Sequence, residues 1–228
     1  SYGEYNEEIV INGFLGSGNL NIVFDTSTVL YGQIHVENNT IDVSLDGQKT
    51  NSSTSGATIY SYQSKNQDAI VVKNSYCAIN GFKAKNISSG GTTYYGAFAR
   101  FTNGARGGVG NCDVIYYETP VISSYASQVG FWNVKGKTKY RRTVENGGII
   151  VSGGTIPSTT TSKDDINRGL IHQSGTLTET TTMGWYSSSG SGGSGGQDGS
   201  SSNTQTITKT FTLTNLRSVP EGSGSATS

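Results

Sequence analysis

From Glu8 to about Gly154 the apolar residues come in short runs, each closed within a few positions by Asn, Gly, Ser or Asp. The runs are IVING (9–13), LNIVFD (20–25), QIHVEN (33–38), TIDVSLDG (40–47), ATIYSY (57–62), AIVVKN (69–74), CAINGF (77–82), AFARFTNG (97–104), DVIYYE (113–118), VGFWNV (129–134) and GIIVSGG (148–154). Inside them apolar and polar positions alternate, which is the period-two pattern of a strand with one buried face. No stretch carries the three-to-four spacing of an amphipathic helix of useful length. Short strands with turn chemistry every few residues predict an all-β chain.

The spacing of the runs narrows the architecture. Segments centred on Val109, Val129 and Ile149 stand 20 residues apart, each preceded by a polar turn: TNG at 102–104, SSY at 123–125 and ENGG at 145–148. A period near 20 that holds several short strands suits one rung of a β-solenoid. Ile79 lies 30 residues before Val109, and the surplus is assigned to SSGGTTYYG (88–96) as a projecting loop. Asn74, Asn80 and Asn86 recur at six-residue intervals, and Asn103, Asn111, Asn133 and Asn146 continue the habit. Asn suits a bend because it tolerates left-handed backbone angles and its amide can bond to the neighbouring rung.

After Pro157 the pattern changes. The segment 158–186 is polar with room for one or two strands, and SSSGSGGSGGQDGSSSN (187–203) reads as a flexible linker. In 204–228, Thr204, Thr206, Thr208, Thr210, Thr212 and Thr214 share one face of a strand, with Ile207, Lys209, Phe211 and Leu213 on the other. That strand has no evident partner in the nearby sequence and is expected to add to another chain or to begin a further domain. The expected division is therefore a solenoid over 1–157, a connecting β segment over 158–186, the linker, and the Thr strand with its tail.

Composition removes several classes. Gly, Ser and Thr number 32, 31 and 28, together 91 of 228 residues, which is far from the Ala, Glu, Lys and Leu richness of a coiled coil. Lys+Arg and Asp+Glu are 16 each, so no net positive field exists to gather nucleic acid. The 13 Tyr, 7 Phe and 2 Trp argue against disorder throughout. No run of 18 apolar residues offers a membrane-spanning helix. The chain lacks an initiator Met, Met183 being its single Met, and is read as a piece of a longer or processed polypeptide. Cys77 and Cys112 are too few for a disulfide framework or a zinc site, and both are expected to point inward as buried thiols, bridged only if they stack. No cofactor or metal motif is predicted, and NGARGGVGN (103–111) lacks the strand-then-helix setting of a phosphate loop.

The segment IVVKNSYCAINGFKAKNIS (70–88) resembles rungs of the parallel β-helix proteins of the pectate-lyase type. Together with ENGGIIVSGGTIPSTTT (145–161) and the Thr/Ser-rich segment after it, residues 8–160 resemble bacteriophage tailspikes and appendage proteins, particularly those of Gram-positive phages. The resemblance is compositional and has no active-site signature. It implies a right-handed parallel β-helix followed by a Gly/Ser/Thr-rich, partly extended C-terminal β segment. It further implies a homotrimer in the virion, attached to other virion proteins, that binds a host cell-surface glycopolymer such as teichoic acid or capsule during adsorption. Some such proteins carry a self-releasing C-terminal chaperone domain.

Three sets of residues can carry chemistry. KGKTKYRR (135–142) holds five of the 16 basic residues, and a strand there would put Lys135, Lys137, Lys139 and Arg141 on one face, a cationic stripe suited to a polyanionic glycan. Tyr94, Tyr95, Tyr116 and Tyr117 head the aromatic set, which also includes Tyr60, Tyr62, Tyr76, Trp132 and Tyr140, because sugar rings stack on exposed aromatic faces. Adjacent pairs such as Tyr116 and Tyr117 must split between the two faces, and for Trp132 the core or a subunit interface is the favoured place. Asp42, Asp46 and Glu118 are the weak catalytic candidates, since glycoside hydrolysis needs two carboxylates about 5–10 Å apart; Asp42 and Asp46 in one extended strand would stand about 13 Å apart. Of the two histidines, His35 and His172, His35 in QIHVEN reads as a strand residue with a satisfied ring rather than a general base. Two alternative functions follow from these sets: a polysaccharide hydrolase or lyase on the solenoid flank, and a bacterial surface adhesin or filament subunit.

Overall fold

The computed structural model describes residues 3–50, 52–62, 67–87, 94–159, 161, 164–173, 175–184 and 202–211. Among them there is no helix; the chain winds as a parallel β-solenoid. Each rung supplies three strands. The first two rungs are β1 (Glu4–Tyr5), β2 (Ile9–Asn12) and β3 (Asn19–Val23), then β4 (Val29–Tyr31), β5 (Ile34–Glu37) and β6 (Asp42–Asp46). The next two are β7 (Thr58–Tyr62), β8 (Ile70–Lys73) and β9 (Tyr76–Asn80), then β10 (Lys83–Ile87), β11 (Ala97–Thr102) and β12 (Arg106–Gly110). Then come β13 (Asp113–Ile115), β14 (Thr119–Ser124) and β15 (Gln128–Trp132), followed by β16 (Lys135–Thr138), β17 (Thr143–Glu145) and β18 (Ile149–Gly153). The last rung holds β19 (Ser158–Thr159), β20 (Asp165–Asn167) and β21 (Leu170–Gln173).

Like strands stack into three parallel seven-stranded sheets, here A (β1, β4 and onward), B (β2, β5 and onward) and C (β3, β6 and onward). Gln128 pairs with Arg106 and with Ile149, and Ile149 with Leu170, so the late rungs repeat every 21 or 22 residues. This corrects the expected period of 20: Val109 aligns with Phe131 rather than Val129, and it is Ile150, not the half-buried Ile149, that faces inward. The first slip is two residues and leaves the inward face unchanged, so the apolar pattern alone does not reveal it; the second is one residue and moves Ile149 off that face. The 30-residue offset from Ile79 to Val109 is the observed register, while residues 88–93 of the expected loop lie outside the described residues.

Inward positions repeat from rung to rung. Leu45, Ile79, Val109 and Phe131 form one interior column, and Ile34, Ile70, Ala99 and Val121 another, all fully buried at the prevailing value of about 1.5–3 kcal/mol for a large apolar side chain. Cys77 and Cys112 are buried free thiols, not a bridge. The interior column of sheet C passes from Phe131 to Ser152, whose Oγ accepts a hydrogen bond from Arg142 Nη1. Arg142 is 2% exposed and forks onto Asp164, with Nε to Oδ1 at 2.8 Å and Nη2 to Oδ2 at 2.7 Å.

The parallel ladders run past residue 157, through β19, β20 and β21. The Thr strand also finds a partner within the chain: β22 (Gly175–Gly184) pairs antiparallel with β23 (Ser202–Phe211). Thr176, Thr178, Thr180 and Thr182 register with Thr210, Thr208, Thr206 and Thr204. Most of the expected linker 187–203 and the tail after Phe211 lie outside the described residues.

Candidate functional site: the outer face of sheet A

The outward lanes of sheet A run across the strands. One lane is Tyr31, Tyr60, Lys85, Ile115, Lys137 and Ser158, in unbroken register from rung to rung. The lane beside it is Val29, Thr58, Lys83, Asp113 and Lys135. The alternate positions Leu30, Ile59, Ala84 and Val114 are buried, so the lysines and tyrosines project from the same face that a conventional core holds in place. Parallel strands lie about 4.8 Å apart, which sets the pitch of both lanes.

Tyr31 and Tyr60 stack with ring centroids 5.1 Å apart and planes 19° apart. Further along, Lys85 Nζ lies 5.9 Å from the centroid of Tyr116, and Tyr94 packs edge-on to the same ring at 6.2 Å. Tyr116 adopts a left-handed backbone with φ 65°, uncommon for a bulky residue, and its N–H donates to Lys137 O at 2.8 Å. Its neighbour Tyr117 falls on the opposite side of the backbone. Tyr117 is fully buried, edge-on to Phe98, with its hydroxyl 2.9 Å from Ser61 Oγ. Burial raises the phenol pKa of Tyr117 and takes it out of any ligand-facing role. Tyr95 is exposed, and its carbonyl accepts a 2.8 Å hydrogen bond from Nδ2 of the buried Asn86, which anchors the chain beside Tyr94.

The cationic stripe is shorter than the spacing predicts. Lys135 and Lys137 are exposed on β16, but the strand ends at Thr138, whose Oγ1 donates to Tyr140 O at 2.7 Å as the chain turns toward sheet B. Lys139 is half-buried, bonded to Glu118 at 2.8 Å and lying 4.8 Å from the ring centroid of Tyr140. The hydrogen bond to Glu118 holds its ammonium above the ordinary range. Arg141 is half-buried beyond the strand end, and Arg142 turns inward. Lys83 and Lys85, which do not stand out in the sequence, complete the cationic surface. Their signal was the alternation Lys83, Ala84, Lys85, masked because its one inward residue is as small as Ala.

The three catalytic candidates do not converge. Asp42 and Asp46 lie on β6 of sheet C, where Asp46 accepts hydrogen bonds from Gln48 N and Asn80 Nδ2. Glu118 lies at the turn between sheets A and B, engaged by Lys139. Trp132 belongs to the outer face of sheet C, across Gly108 and Gly110, where any Cβ would strike the indole. His35 lies on sheet B between Glu8 and Glu37, each 3.3 Å away, while the side chain of His172 lies outside the described residues. Among the described residues no three His, Cys, Asp or Glu side chains gather to hold a metal, and no helix is long and apolar enough to cross a membrane.

No protein-family model, curated protein or solved structure matches the chain.

Proposed function

We propose that the chain is the receptor-binding solenoid of a phage tailspike or appendage, and that it engages a host cell-surface glycopolymer through the outer face of sheet A. The observation that carries this reading is the convergence of Tyr31, Tyr60, Lys85, Tyr116 and Tyr94 on one outward face. Exposed aromatic faces stack sugar rings, and neighbouring cations fix orientation by charge-assisted hydrogen bonds. The left-handed backbone of Tyr116 supports a functional role, because a conformation that costs of order 1 kcal/mol persists only where its surroundings hold it. Positioning in the virion and assembly as a homotrimer belong to the same proposal and rest on the tailspike resemblance.

The test is co-sedimentation of the purified chain with cell-wall and capsule fractions from Gram-positive hosts. Binding to at least one fraction is expected, with Tyr60→Ala and Tyr116→Ala each weakening it roughly tenfold, about 1.4 kcal/mol. Binding that survives both substitutions would place the ligand elsewhere on the molecule.

A further inference from the structure

We infer that the polymer taken by this face carries a negative charge in each repeat and lies along the solenoid axis, across the strands. The inference rests on the reading of sheet A as a glycopolymer face and specifies its ligand. Direction follows from how the side chains are distributed. Each sheet A strand of the central rungs presents two or three outward residues, so a ligand aligned with one strand meets little more than Lys135 and Lys137, or Lys83 and Lys85. A ligand laid across the rungs meets the whole lane, from the stacked Tyr31 and Tyr60 through Lys85 and Tyr116 to Lys137.

Charge follows from which groups are already engaged. Among the described residues no carboxylate lies within ion-pair distance of Lys85 or Lys137, which are two rungs apart, about 9–10 Å. Of the acids bordering the lane, Glu4 lies at the far end in register with Val29, and the two nearest the lysines are each tied to a lysine of the protein's own. Asp113 Oδ1 is 3.4 Å from Nζ of Lys49, a side chain only 3% exposed, and Glu118 Oε1 is 2.8 Å from Lys139 Nζ. With both repelling groups neutralised, the face keeps a net positive lane on a chain whose formal charge is zero. Such a lane selects anions locally without gathering polyanions over the whole surface. A phosphodiester-linked polyol and a uronic-acid polysaccharide share the required chemistry.

The experiment measures binding of the full chain to three polymers of matched length: poly(glycerol phosphate), polygalacturonate and neutral dextran. One or both anionic polymers should bind, more weakly as salt is raised, and the double variant Lys85→Gln/Lys137→Gln should weaken that binding about tenfold with an unchanged circular dichroism spectrum. Which anionic polymer binds identifies phosphate or carboxylate as the ligand group. If dextran binds as well as either polyanion, with Tyr60→Ala weakening it and the double lysine variant not, the charge inference is overturned while the glycan face stands. If none of the three binds and no host wall fraction binds, both fail.

Discussion

At the scale of single residues, the polar groups inside the coil decide more than the apolar ones. Arg142 is buried beside Ser152 of the interior column, and its guanidinium forks onto Asp164, itself partly exposed. Asp164→Ala removes the bidentate carboxylate from a buried guanidinium and should destabilise the fold by about 3 kcal/mol, whereas Ser152→Ala, which removes one of several hydrogen bonds, should cost about 1 kcal/mol; denaturant unfolding measures both. Burial also raises the pKa of three acids, with the Cys112 thiol pushed up to about 12 and Cys77 and Tyr117 raised as well. In the unfolded chain the thiols ionise near about 8.5 and the phenol near about 10, so above pH 8.5 the unfolded state releases protons that the folded state keeps. Stability should therefore be insensitive to these groups below about pH 8 and fall as pH rises beyond 9. Thermal midpoints from pH 7 to 10.5 measure this, and a midpoint flat to pH 10.5 would contradict it. The Gly136 backbone, at φ 117° between Lys135 and Lys137, leaves no room for a Cβ against Val114 O. Gly136→Ala should cost about 1–3 kcal/mol in stability and disturb the lysine lane with it.

At the scale of elements, the bend between sheets B and C is the repeating device. The same register position is left-handed in every rung: Gly13, Asn38, Asn74, Asn103, Tyr125, Asn146 and Arg168. Asn is legible there from sequence because it combines backbone tolerance with an amide, and Asn74 Nδ2 does donate to Asn38 Oδ1 at 3.3 Å. Tyr125 and Arg168 were not legible, since nothing in their chemistry favours that conformation and only the register imposes it. A second ladder follows sheet C, where Asn111 Nδ2 donates to Asn80 Oδ1 at 2.9 Å while the Asn111 backbone sits at φ 52°. Asn111→Ala loses both the ladder and the backbone tolerance and should cost about 2 kcal/mol, while Asn111→Gly loses only the ladder and should cost about half as much. Equal losses would mean that the backbone conformation contributes nothing. Sheet A was the least legible element. Its inward positions include Ala84, Gly136 and Thr138, so the strands KAKNI and KGKT carry too little apolar content to announce themselves. The stripe of four basic residues was overextended for the related reason that a turn at Thr138 leaves no mark on charge spacing.

At the scale of the whole molecule, a neutral chain rich in Gly, Ser and Thr builds three unlike outer faces on one apolar interior. Sheet B carries paired charges such as Arg100 with Asp68, at 2.5 Å, and sheet C carries small residues under Trp132. Sheet A combines stacked tyrosines with Lys85 and Lys137, which have no carboxylate within ion-pair distance among the described residues. The solenoid was legible because its interior repeats. The site was only partly so, because a lane across five strands gathers residues as distant in sequence as Tyr31 and Lys137, and only register brings them together. The most direct test of the account is a covalent-labelling footprint of the full chain saturated with a host wall polymer that it binds. The account predicts protection of Tyr31, Tyr60, Tyr116, Lys85 and Lys137, with Tyr125, exposed at the opposite bend, labelled as in the free protein. Protection of Tyr125 or Trp132 with the sheet A residues still labelled would contradict it.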